Sequence, residues 1–478
     1  MVRQTTTERM ADQAETAGIG HPATRQRVWG WMFMDWAQQP YATLGLTFIF
    51  SPYFAAVAAE WYLGSGLTEE SAKAHAQGLW SSAQTVSGLF IAFTAPLLGA
   101  WADASGRKMP WFWGFSIIAT LCAAALWFLM PDGTGLTLAL IAFWVGFTAS
   151  ESAFNLNNAT LPSLGTPDEV GRISGSASAF GYWGGVVSLF LMLLFFAETP
   201  GGQTLIGLAP AFGLDPETRE GTRFVGPFIA IWFALFMVPF FLWNRDPEGV
   251  RQARPGAGQI LGGLRDSLRE LADRPSYRSF LLSSMFYRDS LAALYAYGGI
   301  YARLVLGWEI TQIGVFGIIA AIAAAVISWL GGRADHRWGP KPVILTCIWL
   351  LLAVSVIIIG MSRDHILFVA LPEGSRLPDT IFFLCGAVIG GAGGALYSAS
   401  RSMMVRHTDH ARAAEAFGLF ALTGKATAFL APALITFFTL WTQSNQLGFL
   451  PVIFLFLLGL VLLRWVQPDG DRAVCSAP

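Results

Sequence analysis

Apolar runs of about 20 residues, separated by short polar stretches, recur along the whole chain. They predict twelve membrane helices at 28–58, 77–100, 111–130, 136–158, 172–197, 222–244, 279–303, 310–332, 341–360, 378–400, 413–440 and 447–466. Some carry internal prolines, such as Pro40 and Pro52 in the first, which membrane helices tolerate better than soluble ones. One stretch has a different pattern. Ile260, Leu261, Leu264, Leu268 and Leu271 recur at helical spacing, with Arg265, Arg269, Glu270 and Arg274 elsewhere. It reads either as a helix on the inner membrane surface or as a solvated linker helix. The expected organisation is a polar tail (1–27), a six-helix bundle (28–244), a linker (245–278), a second six-helix bundle (279–466) and a polar tail (467–478). The fold class is all-α integral membrane, with twelve transmembrane helices in two pseudo-symmetric bundles.

Composition agrees. Of 478 residues, 54% are hydrophobic and 13% charged, against about 25% charged in soluble proteins. That excludes a disordered or nucleic-acid-binding chain and disfavours an ordinary soluble enzyme, since 37 Phe and 19 Trp need an apolar setting. Cys122, Cys347, Cys385 and Cys475 form no C-x-x-C, so neither a disulfide framework nor a metal site is expected. The first 27 residues hold no apolar core like a signal peptide's, so the first span is expected to stay in the protein.

The net charge of −1 hides an asymmetry. An even span count puts both termini on one side. That side holds 22 of the 30 Lys and Arg, the other holds 6, and Arg288 and Lys425 fall inside spans. The cation-rich side is expected to be cytoplasmic, giving a multi-pass protein of the inner cell membrane.

The halves repeat. Asp35 is followed six residues later by Tyr41-Ala42, and Asp289 six residues later by Tyr295-Ala296. The loop after span 2 runs from Gly99 through Asp103 and Gly106 to Arg107-Lys108. The loop after span 8 has Gly332, Asp335, Gly339 and Lys341. A six-plus-six repeat is the architecture of many secondary transporters. Asp103 is placed to accept hydrogen bonds from a neighbouring helix N-terminus, which is partially positive. Such a clamp would favour one conformation and break when the halves rock.

The first loop resembles the G-x-x-x-D-x-x-G-R-R/K signature of the major facilitator superfamily, with Ala104 where the pattern usually has Arg. Further segments resemble its vacuole-effluxer-like branch, named for an autophagy-related vacuolar amino-acid effluxer. They are Asp35-Trp36-Ala37, Asn158-Ala159-Thr160-Leu161-Pro162, Gly171-Arg172-Ile173-Ser174-Gly175, Ser400-Arg401-Ser402, and Glu415 through Gly424-Lys425. Thr160 and Ala416 replace the usual Phe at packing positions. The resemblance implies a twelve-helix carrier whose cavity is lined by the first, fourth, seventh and tenth helices. It does not fix the substrate.

Charge at membrane depth is costly unless paired or wet, which makes it a functional hypothesis. Lys425 lies roughly 18 Å into span 11, counting about 1.5 Å per residue, near the midplane. It would take a substrate carboxylate or phosphate, or else a helix-tying ion pair. Arg288 and Asp289 point about 100° apart, and the repeat favours Asp289 as the cavity residue. Asp35 sits nearer the cytoplasmic mouth. Glu151 lies among Ser150, Ser152, Asn155, Asn157 and Asn158 and is a candidate proton carrier, because burial disfavours a charged carboxylate.

The candidate substrate site is therefore Lys425, Arg288, Asp289, Asp35, Tyr41, Tyr295 and Tyr397. Glu151 and Asp289 are the coupling candidates. The gating candidates are Gly99, Asp103, Gly106, Arg107, Lys108, Asp335, Arg172, Arg401 and Glu415. With no P-loop, H-E-x-x-H or G-x-S-x-G, neither ATP drive nor enzyme chemistry is expected. The expected partners are a small polar or zwitterionic solute and the lipid bilayer, without a cofactor, metal or nucleic acid. The chain is expected to be a monomer. The alternative is a non-transporting membrane receptor or scaffold of the same fold, whose inner charges would be closed ion pairs.

Overall fold

The computed structural model describes residues 23–199, 201–246, 256–308, 310–367, 369–372, 374–444 and 446–471. The tails 1–22 and 472–478 and most of the linker's first third lie outside the described residues. The first bundle comprises α1 (Arg25–Gly64), α2 (Glu69–Ser105), α3 (Met109–Phe128), α4 (Leu136–Asn158), α5 (Pro167–Phe195) and α6 (Val225–Trp243). The linker helix is α7 (Ala257–Asp273). The second bundle comprises α8 (Pro275–Val305), α9 (Ile310–Trp338), α10 (Pro340–Ile359), α11 (Leu377–His407), α12 (Ala413–Ala426), α13 (Leu430–Thr442) and α14 (Leu450–Leu463). A hairpin of β1 (His365–Ile366) and β2 (Val369–Ala370) joins α10 to α11.

Among the described residues, ten helical segments are long and apolar enough to cross a membrane. Helix α8 is long enough but more polar, carrying Arg278, Arg288, Asp289 and Arg303, and α14 is apolar but short. These two complete the predicted twelve passes.

The prolines shape two passes. Between Pro40 and Pro52, α1 widens into a π-helical stretch, Tyr41–Phe48, because each ring removes a backbone donor and crowds the preceding turn. The eleventh pass was expected to be one helix over 413–440 and is broken into α12 and α13 by a turn at Thr427, Ala428 and Phe429. Pro432 accounts for this, since its ring conflicts with the carbonyl four residues back, at Ala428. Asp289 Oδ2 receives Ala431 N–H at 3.1 Å and so caps the new helix start.

The halves meet along two seams at the end that bears the glycine-rich loops. On one, α2 packs against α12. Gly99 lies on the Ala414 carbonyl, and a Cβ on Gly418 would stand 2.5 Å from the Ala95 carbonyl. On the other, α5 packs against α9 and α11, with Gly175 on Gly332 and Gly171 on the Asp335 carboxyl. Lipid is as apolar as a side chain, so helices associate in it by close contact, which small residues permit. Helix α13 packs instead on α14 and α8.

Helix α7 lies beside α2 and is tied to the other half by Arg412, which bonds Ser267 Oγ at 3.1 Å and Glu270 Oε2 at 2.9 Å. Leu264 and Leu271 are half-buried and Leu268 is exposed, while the Ile260 and Leu261 side chains lie outside the described set. The contacts of α7 are thus with the protein at the α2–α12 seam.

Candidate functional site

Arg401 sits six residues before the end of α11 and is 0% exposed. Span 10 was expected to stop at 400, but the helix continues to His407, which carries the guanidinium into the interior. All five of its N–H groups are engaged. Nε donates to Ser174 Oγ (3.1 Å), and Nη2 to Ser174 O (2.8 Å) and Ser178 Oγ (2.6 Å). Nη1 reaches Asn158 Oδ1 at 3.1 Å and pairs with Asp35 Oδ1 at 3.2 Å. The rings of Trp31, Tyr397 and Phe154 stand 5.4 to 5.8 Å from its centre. Ser174 Oγ in turn donates to Ser398 O at 2.8 Å. One side chain of the second half is thereby bonded to α1, α4 and α5 of the first, and four of the sequence motifs meet on it.

Arg288 and Lys425 contrast with this cluster. Both are half-buried, and among the described residues neither has an Asp or Glu oxygen within 4.0 Å. Arg288 Nη1 donates to Phe420 O at 2.9 Å, and the guanidinium stacks 4.4 Å over the Phe420 ring and 6.0 Å from that of Tyr397. Gly424 leaves it room, since a Cβ there would collide with it. Lys425 is the next residue, in the last turn of α12 before the break. From the first half, Glu151 is half-buried and accepts Gln38 Nε2 at 2.5 Å.

The profile of the family "Vacuole effluxer Atg22 like" matches residues 23–473. The chain belongs to the vacuole effluxer Atg22-like family. An uncharacterised MFS-type transporter, YxiO of Bacillus subtilis, is 22% identical over 454 residues, covering 93% of this chain and 95% of that one. Autophagy-related protein 22 of Cryptococcus neoformans is 25% identical over 315 residues, covering 63% of this chain and 51% of that one. The chain thus spans about half the length of this fungal relative. Among solved structures, human organic anion transporter MFSD10 aligns with a TM-score of 0.66 at 16% identity, covering 93% of this chain and all of that one. The E. coli fucose:proton symporter aligns at 0.63 and 15%, covering 92% and 98%. The fold is that of the major facilitator superfamily, twelve helices in two bundles, and the family is one of transporters, not enzymes.

Within this effluxer-like fold several expected site residues lie elsewhere than expected. Arg288, not Asp289, is the half-open member of its pair, because Asp289 is buried as the cap of α13. Tyr41 is fully buried in the first bundle, donating to Ala119 O beneath Gly146, and so faces away from the other half. Asp35, expected as a substrate ligand near the cytoplasmic mouth, is the buried partner of Arg401. Tyr295 is 49% exposed, and its hydroxyl lies against Gly393 of α11. Tyr397 stands between Arg288 and Arg401.

The clamp residues gather at the seams. Asp103 Oδ2 receives the Glu415 N–H at the start of α12 (2.9 Å), and Oδ1 lies 3.4 Å from Lys108 Nζ. Gly106 closes α2 with a left-handed φ of +66°, a conformation that favours glycine. Asp335 is buried, bonded to Ser402 Oγ at 3.3 Å on one oxygen and unpartnered on the other. The Glu415 carboxyl is buried with Oε1 unpartnered. Arg107 and Arg172 are exposed, and among the described residues neither side chain makes a hydrogen bond or ion pair across the seams. Among the described residues no group of three or more His, Cys, Asp or Glu is placed to hold a metal.

Ser178, Phe420 and Gly424 were not singled out as site residues. Ser174 and Ser178, four apart, share one face of α5, and that spacing was the available signal.

Proposed function

We propose that this family member is a secondary carrier working by alternating access, with the structure closed at the loop-bearing end. The solute is a small molecule bearing a carboxylate. Arg288 and Lys425 bind the carboxylate, and Glu151 takes an amine or a coupling proton. Amino-acid export is the reading that the effluxer relatives favour. The loop-bearing end faces the cytoplasm, both termini are on that side, and the host membrane is the inner cell membrane. The protein works as a monomer.

One observation carries this reading: the charges in the membrane divide into a closed set and an open set. A receptor or scaffold that kept the fold without transport would gain from closing every pair, because an unpaired charge at this depth is costly. Arg401 is closed. Arg288 and Lys425 are not.

The test is counterflow in vesicles reconstituted with purified protein. Lys425→Ala is expected to abolish solute uptake while the protein stays folded. Normal uptake by the folded variant would remove Lys425 from the site. Rescue of folding by a charge swap between Lys425 and one acid would favour the scaffold.

A further inference from the structure

We infer that the connection between α5 and α6 is a membrane anchor. Its apolar arm, residues 205–212, lies in the headgroup–acyl boundary of the leaflet away from the glycine-rich loops. The anchor is separate from the solute site.

Helix α5 starts at the clamp end, where Gly171 meets Asp335, so Phe195 marks the opposite end. Residues 189–197 are all apolar, and Glu198 is the first charge after them. The chain leaves the helix there but turns back. Leu205 N–H donates to Leu193 O at 3.1 Å, about one helical turn to the membrane side of Glu198. That bond satisfies a carbonyl of the kind that the end of a helix leaves free. Thr204 N–H bonds Leu208 O at 2.8 Å and Gly207 N–H bonds Thr204 O at 2.9 Å, which closes a tight turn with Leu205 and Ile206 at its tip. Internal bonds of this kind suit a depth where water is scarce.

The side chains on this arm are uncovered. Leu205, Ile206 and Leu208 are exposed, and Phe212 is 85% exposed. Phe212 also holds a left-handed φ of +61°, which is strained for a bulky residue, and a ring so exposed recovers little in water. The ring stands 5.8 Å from that of Phe196 and 6.5 Å from that of Phe224, where α5 ends and α6 begins. Helix α6 has no polar side chain and exposes Ile231, Leu235, Val238 and Leu242 along one stripe, the face it turns to lipid. The arm thus sits against the ends of two passes, at the depth of their apolar residues.

The rest of the connection behaves differently. Residues 199–214 carry no charge, but 215–220 form a polar arm held by its own contacts. Asp215 Oδ2 accepts from Thr218 Oγ1 at 2.9 Å, and Glu220 Oε2 accepts the Asp215 N–H at 2.9 Å. An uncharged turn at the edge of the bilayer, with uncovered aliphatic and aromatic side chains, matches the chemistry of the lipid interface.

The experiment uses the full-length wild type in phosphatidylcholine vesicles, with a carbene photoprobe dissolved in the acyl region and read by peptide mass spectrometry. Labelling of 205–212 is expected to reach that of the α6 stripe, while 215–219 of the same connection stays at background. Labelling of the apolar arm no higher than that of the polar arm overturns the anchor. Labelling that falls as the protein-to-lipid ratio rises assigns the patch to a second copy and overturns it as well. A second readout is a nitroxide at Ile206→Cys or at Glu217→Cys, in a chain whose four cysteines are replaced. The Ile206 position is expected to favour collision with oxygen over a water-soluble nickel chelate, and the Glu217 position the reverse. The same preference at both positions contradicts the anchor.

Discussion

Arg401 and Arg288 are both guanidinium groups inside the second half of the molecule, and their surroundings are opposite. Arg401 has all five donors bonded, every one to the first half, with an acid at 3.2 Å among the acceptors. Among the described residues Arg288 is bonded only to a carbonyl of its own half. The difference separates a lock from a site. A lock must be saturated by the protein, so that breaking it has a defined cost. A binding site must leave donors for something that comes and goes. Burial follows the same division: Arg401 is 0% exposed and Arg288 is half-buried.

The comparison can be broken by removing each charge in turn. The largest loss of stability is expected from Arg401→Met. It strands Asp35 and leaves Ser178 and Asn158 without their partner, and losing one member of a buried pair costs about 3–5 kcal/mol. A thermal melt in detergent would register it. Gly175→Leu comes next. Its side chain would collide with the Gly332 backbone, at about 1–3 kcal/mol for overpacking. The α5–α9 seam should part, and a cysteine pair placed across it should stop cross-linking.

Asp103→Asn should be milder, on the order of 1 kcal/mol, because it weakens one helix-terminus contact and one ion pair at the rim. Hydrogen exchange at the start of α12 should speed up. The smallest change, less than about 1 kcal/mol, is expected for Lys425→Met, which removes a half-buried charge that no acid holds among the described residues. A melt like that of Arg401→Met would show that Lys425 belongs to a lock.

The passes were legible because a bilayer demands long apolar runs, and the loop clamps were legible because a glycine-rich turn with one Asp recurs in both halves. The end of span 10 was not. Arg401, Arg406 and His407 read as a polar loop, yet α11 continues through them because the other half supplies partners for Arg401. The break between α12 and α13 had its signal in Pro432, masked by the apolar run around it. Asp289 was assigned to the cavity by analogy with Asp35 across the repeat. The repeat did preserve a shared role: both carboxylates are buried and bonded, Asp35 to Arg401 and Asp289 to the start of α13. What the repeat could not reveal is that Arg288 would be the residue left open, because that depends on Gly424 and Phe420 of a distant pass.

The most direct test is to measure solute-induced thermal stabilisation of the wild type and of Lys425→Met side by side in the same detergent. The account predicts equal melting temperatures without solute, a rise for the wild type when an anionic solute is added, and none for the variant. An equal rise in both, or a variant that melts as early as Arg401→Met before any solute is added, would contradict it.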